Sequence, residues 1–147
     1  MTKLFKISLL GLLISCCGFD PNFYWIEDDG RFWRYRAFFE KHTGHDTGYI
    51  PIMYGEESAV ASCRSRIWPN NSKWHQKHIV VNRLKFDRLS VNWRRAIIAH
   101  ELIHCHLEVD YHIEDPEAET LQLMAALLPV DWPLTTIELI QALEEWK

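Results

Sequence analysis

From Ser90 to Leu107 the apolar residues recur at helical spacing. Trp93, Ile97, His100, His104 and Leu107 fall on one stripe, and Ile98, Leu102 and Cys105 on a second. Ser90 is positioned to cap a helix that begins at Val91. A helix that is apolar on nearly every side belongs in the interior, so its imidazoles need partners there. Upstream, Phe32, Tyr35, Arg36 and Phe39 predict a first helix over residues 31–42, followed by a loop over 43–48. Residues 49–54 and 59–63 read as short strands, Pro69-Asn70-Asn71-Ser72 as a turn, and 78–82 as the clearest strand. Asp115 and Pro116 start a helix expected over 116–128, and Pro129 and Pro133 separate it from a last helix over 134–146. The order predicts an α+β domain: an N-terminal helix, a small antiparallel sheet, the central helix and C-terminal helices.

The first residues set the compartment. Lys3 and Lys6 precede an apolar run, Ile7 to Ile14, which is too short to span a bilayer but suits a signal-peptide core. Leu13-Ile14-Ser15-Cys16 resembles the lipobox of bacterial lipoproteins. That resemblance implies a signal peptide over residues 1–15, a lipid on Cys16 and a membrane anchor facing the periplasm or the cell exterior. Cys17 is a second acceptor position, and an ordinary secretory signal or an uncleaved anchor are the other readings; all of them export the chain. Residues 16–30 then form a tether, and residues 31–147 a single domain. The net charge of −4 becomes more negative once Lys3 and Lys6 are removed, which argues against nucleic acid as a partner. In an oxidising compartment Cys63 and Cys105 are a candidate disulfide, with two buried thiols as the alternative. Seven Trp point to an aromatic-rich core or cleft.

Residues 100–104 read His-Glu-Leu-Ile-His. On a helix, residues four apart share a face, so His100 and His104 can hold one ion together. Neutral imidazole suits Zn²⁺, and Glu101, offset from the pair, can take a proton from water activated by the metal. This HExxH motif resembles the core of zinc metallopeptidases. Helix, short strands, HExxH helix and further helix resemble the zincin fold in minimal form over roughly residues 49–128. The resemblance implies that Ile79 to Asn82 forms the rim of a cleft and pairs with an extended peptide or protein substrate.

A catalytic zinc takes three protein ligands and keeps one position open. Asp110 stands where metzincins place the last ligand, but Leu107 replaces the Gly of their turn. His-Glu-Leu-Ile-His-Cys followed by His112 resembles small bacterial and phage metallopeptidases. Glu117 and Glu119 offer a gluzincin-like alternative, and the run through Leu127-Leu128-Pro129 is loosely similar to the third-ligand helix of ImmA/IrrE-type peptidases. His112 leads these candidates.

The remaining histidines read as less chemical. His106 lies about 200° around the helix from His104 and is expected at the surface, away from the ion. His42 and His45 flank a loop, and His75 and His78 sit near the expected rim strand. Tyr111 is a conceivable oxyanion donor. The residues thus predict a membrane-tethered zinc peptidase with Glu101 as general base. A non-catalytic, zinc-binding envelope lipoprotein is the alternative.

Overall fold

The computed structural model describes residues 26–68, 71–110, 112, 123–124 and 133–147, with 67–68 and 71–75 by their backbone alone. The chain divides into compact units, and residues 67–75 fall outside the unit formed by Ile26–Arg66 and Gln76–Lys147, which carries everything below. The elements in order are a 3-10 turn (Gly30–Phe32), α1 (Trp33–Thr43), β1 (Ile52–Tyr54), β2 (Ala61–Trp68), β3 (Asn71–Val81), α2 (Arg83–Phe86), α3 (Val91–Leu107) and α4 (Thr136–Glu144). The class is mixed α+β.

Local chemistry sets the ends of the helices. Ser90 Oγ accepts from Trp93 N–H at the start of α3. Thr135 and Glu138 form a reciprocal capping box at the start of α4. Gly44 closes α1 in the left-handed region (φ 81°), where its N–H donates to Glu40 C=O at 2.8 Å. α1 and α4 pack on α3, and the core they share includes Phe32, Phe39, Ile98, Leu102, Leu139 and Leu143. Its aromatic part is built mainly from Phe and Tyr: Phe32 lies 4.8 Å from Tyr54 and 5.8 Å from Phe86, ring to ring. Trp93 is buried, while Trp33 is exposed.

The sheet has the order β1-β3-β2. Contrary to the expectation of an all-antiparallel sheet, β1 pairs parallel with β3, Ile52 opposite Ile79 and Tyr54 opposite Val81. The reason lies in residues 55–60. They cross the end of β3, where Gly55 N–H donates to Val81 C=O (3.1 Å) and Asn82 N–H to Val60 C=O (2.9 Å). β3 then lies between its two neighbours. Gly55 is needed there: a Cβ would stand 2.8 Å from Val80 Cγ1. The start of β2 thus meets the end of β3, as antiparallel neighbours do.

β3 is therefore central and cannot be the rim strand that Ile79–Asn82 was expected to form; β1 and β2 are the two edges. The clue was in the sequence. Ile79, Val80 and Val81 are consecutive apolar residues, all buried, which marks a strand covered on both faces rather than a rim. Other boundaries also shift. β1 begins at Ile52 instead of residue 49, β2 runs on to Trp68, and Asn71 and Ser72, expected in a turn, belong to β3. The segment 116–128 lies outside the described residues except for Leu123 and Met124, which are in a turn. Among the described residues, no helix is long and apolar enough to cross a membrane.

Candidate metal centre

α3 places His100, Glu101 and His104 within little more than one turn, and its surroundings decide what each can do. His100 and Glu101 are buried, each 8 % exposed, whereas His104 is half-buried and His112 exposed. The cluster therefore has a closed side and an open one.

The second nitrogen of each helix histidine is held by the backbone. His100 Nδ1 lies 2.5 Å from Leu123 C=O, and His104 Nδ1 is bonded to Val109 C=O. A carbonyl only accepts, so each Nδ1 carries the proton and, in the neutral ring, each Nε2 is a bare lone pair. Those Nε2 atoms face each other at 3.1 Å, and His112 Nε2 stands 3.1 Å from His104 Nε2 and 3.2 Å from His100 Nε2. Two bare acceptors cannot bond to each other. A cation at their centre resolves the conflict, and backbone partners on the outer nitrogens are the arrangement that orients histidine ligands. The cluster His100, His104 and His112 can hold a metal ion. Burial pushes the pKa of His100 down to about 4, against the pull of Leu123 C=O, so its lone pair remains available in mildly acidic solution.

His112 reaches the cluster through an unusual turn. Glu108, directly after α3, sits in the left-handed region (φ 57°). It reverses the chain and brings Val109 C=O onto His104. Lys77 Nζ pairs with its carboxylate at 2.7 Å. The turn falls one residue beyond Leu107, the position at which the metzincin pattern has Gly. Asp110 is exposed and does not join the three histidines. Glu117, Glu119 and Tyr111 lie outside the described residues, as does Cys16.

Glu101 is tied to β2. Its Oε2 accepts from Cys63 N–H at 2.6 Å. Val60 and Asn82 are a bonded pair, so alternate residues of β2 turn their N–H groups to β3 and Cys63 turns its own outward, to the free edge. The side chain of Cys63 forms a disulfide with Cys105 (S–S 2.06 Å). Glu101 and Cys105 are four apart on α3 and share a face. One residue of the edge strand thus grips the helix twice, through its backbone at Glu101 and through its sulfur at Cys105. Burial raises the Glu101 pKa to about 7; Cys63 N–H opposes the shift and the Glu57 charge adds to it.

The other histidines stand apart from this cluster. His106 Nε2 lies 3.2 Å from His45 Nδ1, and its Nδ1 is 2.6 Å from Tyr49 Oη. The His42 ring lies 4.6 Å from that of Phe38, tilted by 50°. His78 is buried, its Nδ1 3.5 Å from Gln76 C=O, and burial lowers its pKa. The contact between Cys63 N–H and Glu101 escaped the sequence reading, since no residue pattern reports which N–H groups of an edge strand point outward. Set against known proteins, the chain matches no family model, no curated protein and no solved structure, so its function has to be argued from this site.

Proposed function

We propose that the protein is a zinc-dependent peptidase of zincin-like architecture, with His100, His104 and His112 as ligands and Glu101 as general base. The observation that carries this reading is the convergence of three imidazole nitrogens at 3.1–3.2 Å, with a buried carboxylate next to His100 in the helix and held by Cys63 N–H. Imidazole donors at this spacing suit zinc. Among the described residues no fourth ligand joins them, and the exposed His112 side leaves room for water and a carbonyl. A bound zinc ion supplies Lewis-acid polarisation of the scissile carbonyl and lowers the pKa of water.

Glu101 accepts the water proton and returns it to the leaving amine. Burial raises its pKa in the metal-free protein, and the positive charge of a bound ion would draw it back toward the carboxylate that a base requires. Cys63 N–H fixes the oxygen that does not receive the proton. An extended peptide adds to the edge of β2 at positions other than Cys63, whose N–H is held by Glu101, and main-chain bonds there bring affinity with little side-chain selectivity. The segment Leu13–Cys16 supports lipid attachment at Cys16, which places the peptidase on the outer side of a bacterial membrane.

The test is cleavage of an unstructured protein by the zinc-loaded full-length chain, wild type against Glu101→Gln. Cleavage by wild type, with a loss of about 10²–10⁴-fold in the variant while zinc is retained, is the expected result. Zinc bound by both with cleavage by neither favours a non-catalytic zinc-binding envelope lipoprotein instead.

A further inference from the structure

A second pair of histidines lies at the end of α3. His106 Nε2 and His45 Nδ1 are 3.2 Å apart, with ring centroids at 4.9 Å. Each ring has a partner on its other nitrogen. His45 Nε2 lies 2.9 Å from Trp146 C=O, and His106 Nδ1 lies 2.6 Å from Tyr49 Oη. Trp146 C=O only accepts, so His45 carries its proton on Nε2 and its Nδ1 is bare. That bare nitrogen points at His106.

We propose that His45 Nδ1 and His106 Nε2 form a second, weaker site for a divalent first-row ion such as Zn²⁺, Ni²⁺ or Cu²⁺. Two imidazole nitrogens bound to one tetrahedral ion at about 2.0–2.1 Å stand a little over 3 Å apart, which is the spacing here. The outer nitrogens already have the oriented partners that ligating histidines use. Only one rearrangement is needed. His106 moves its proton from Nε2 to Nδ1, and the Tyr49 hydroxyl turns from donor to acceptor. The ring stays neutral and no proton is gained or lost. Tyr49 is 65 % exposed, so its hydroxyl is free to turn. The all-nitrogen donor set excludes Ca²⁺ and Mg²⁺, which take oxygen. With two protein ligands the remaining positions go to water, so this site is weaker than the three-histidine cluster. An ion there joins the loop after α1 to the end of α3 and to the last residues of the chain. The site depends on neither zinc catalysis nor the ligation of His112.

The experiment is a calorimetric titration of the metal-free full-length chain with Zn²⁺. Two classes of site are expected, one tight and one weak. The double variant His45→Gln/His106→Gln should lose the weak class and keep the tight one, and His104→Ala should do the reverse. Tyr49→Phe spares both imidazoles and guards against misfolding of the double variant. It should weaken the weak class about tenfold, in the range typical of an outer-shell loss. A wild type that saturates with one ion, or a weak class indifferent to the double variant and to Tyr49→Phe, overturns the proposal. The pair would then be joined by a hydrogen bond only.

Discussion

Two groups of histidines hang from the end of α3, and they differ in where their protons go. In the first, His100 and His104 spend their protons outward, on Leu123 and Val109 carbonyls, and turn bare nitrogens toward each other and toward His112. In the second, donors and acceptors alternate without a break: Tyr49 hydroxyl to His106, His106 to His45, His45 to Trp146 C=O. The nitrogen spacings are nearly equal, so distance does not separate the two groups. The proton inventory does. Neutral rings satisfy the second group completely; in the first they leave two bare nitrogens, on His100 and His104, with at most one donor between them, the Nε2–H of the exposed His112. The first group therefore has the greater need for a cation, and the second is satisfied without one.

The largest effect should come from breaking the first group. His104→Ala should abolish tight metal binding, by far more than the 10–100-fold of an outer-shell loss, and with it any hydrolysis. His106→Ala, two residues further along the same helix, should leave the tight class intact. Zinc competition against a chromogenic chelator reads both variants, and equal losses in the two would erase the distinction drawn above.

Next in size is the disulfide, which serves the first group and not the second. It closes a span of 42 residues, and Cys63→Ser with Cys105→Ser should cost roughly 2–4 kcal/mol in denaturant unfolding. Because Cys63 also holds Glu101, turnover should fall further than metal affinity does. Unchanged turnover in a stably folded double variant would show that the N–H contact survives without the sulfur bridge.

Glu101 itself gives an effect of up to about 3 kcal/mol in the metal-free protein. Its folded pKa, about 7, is raised above the ordinary carboxylate value of 4.5. The folded state therefore resists ionisation, and stability is lost as pH rises from about 4.5 through 7. Glu101→Gln does not titrate. The variant should gain on wild type over that window and keep its advantage above it. Thermal melts of both proteins at pH 5 and pH 8 decide this; a stability gap that ignores pH would mean Glu101 is not desolvated.

Which parts of this were legible in the sequence follows from the range of the interactions. The start of α3 and the identity of His100, Glu101 and His104 are local matters of capping and helical spacing, and could be read directly. The start of α4 is equally local, yet apolar spacing alone predicts it at residue 134, two residues before the helix that the Thr135–Glu138 capping box begins. The parallel pairing in the sheet depends on a crossing of residues 55–60 over the end of β3, which no period-2 pattern encodes. Cys63 could be paired with Cys105 by counting thiols, yet its grip on Glu101 depends on which way an edge N–H faces. His112 was one of several candidates because the turn that returns it uses a left-handed Glu108 where a Gly would have announced it.

That turn yields the smallest prediction and bears on one histidine group alone. A non-Gly residue in the left-handed region costs about 1 kcal/mol, which Gly would relieve. Gly also frees the unfolded chain, at about 0.4–1 kcal/mol, and removes the exposed ion pair to Lys77, worth 0–1 kcal/mol. These terms nearly cancel, so Glu108→Gly should shift stability by less than about 1 kcal/mol and leave metal affinity unchanged. Glu108→Val loses the same ion pair but gains no freedom, and a β-branched side chain fits this region poorly. It should be clearly less stable than the Gly variant. It should also weaken the tight metal class, because the turn carries both Val109 C=O and His112, while the weak class stays as it was. Melting curves and zinc titrations of the two variants make the comparison. If Val is tolerated as well as Gly, the left-handed turn does not hold His112 in place, and its return to the cluster must come from the metal itself.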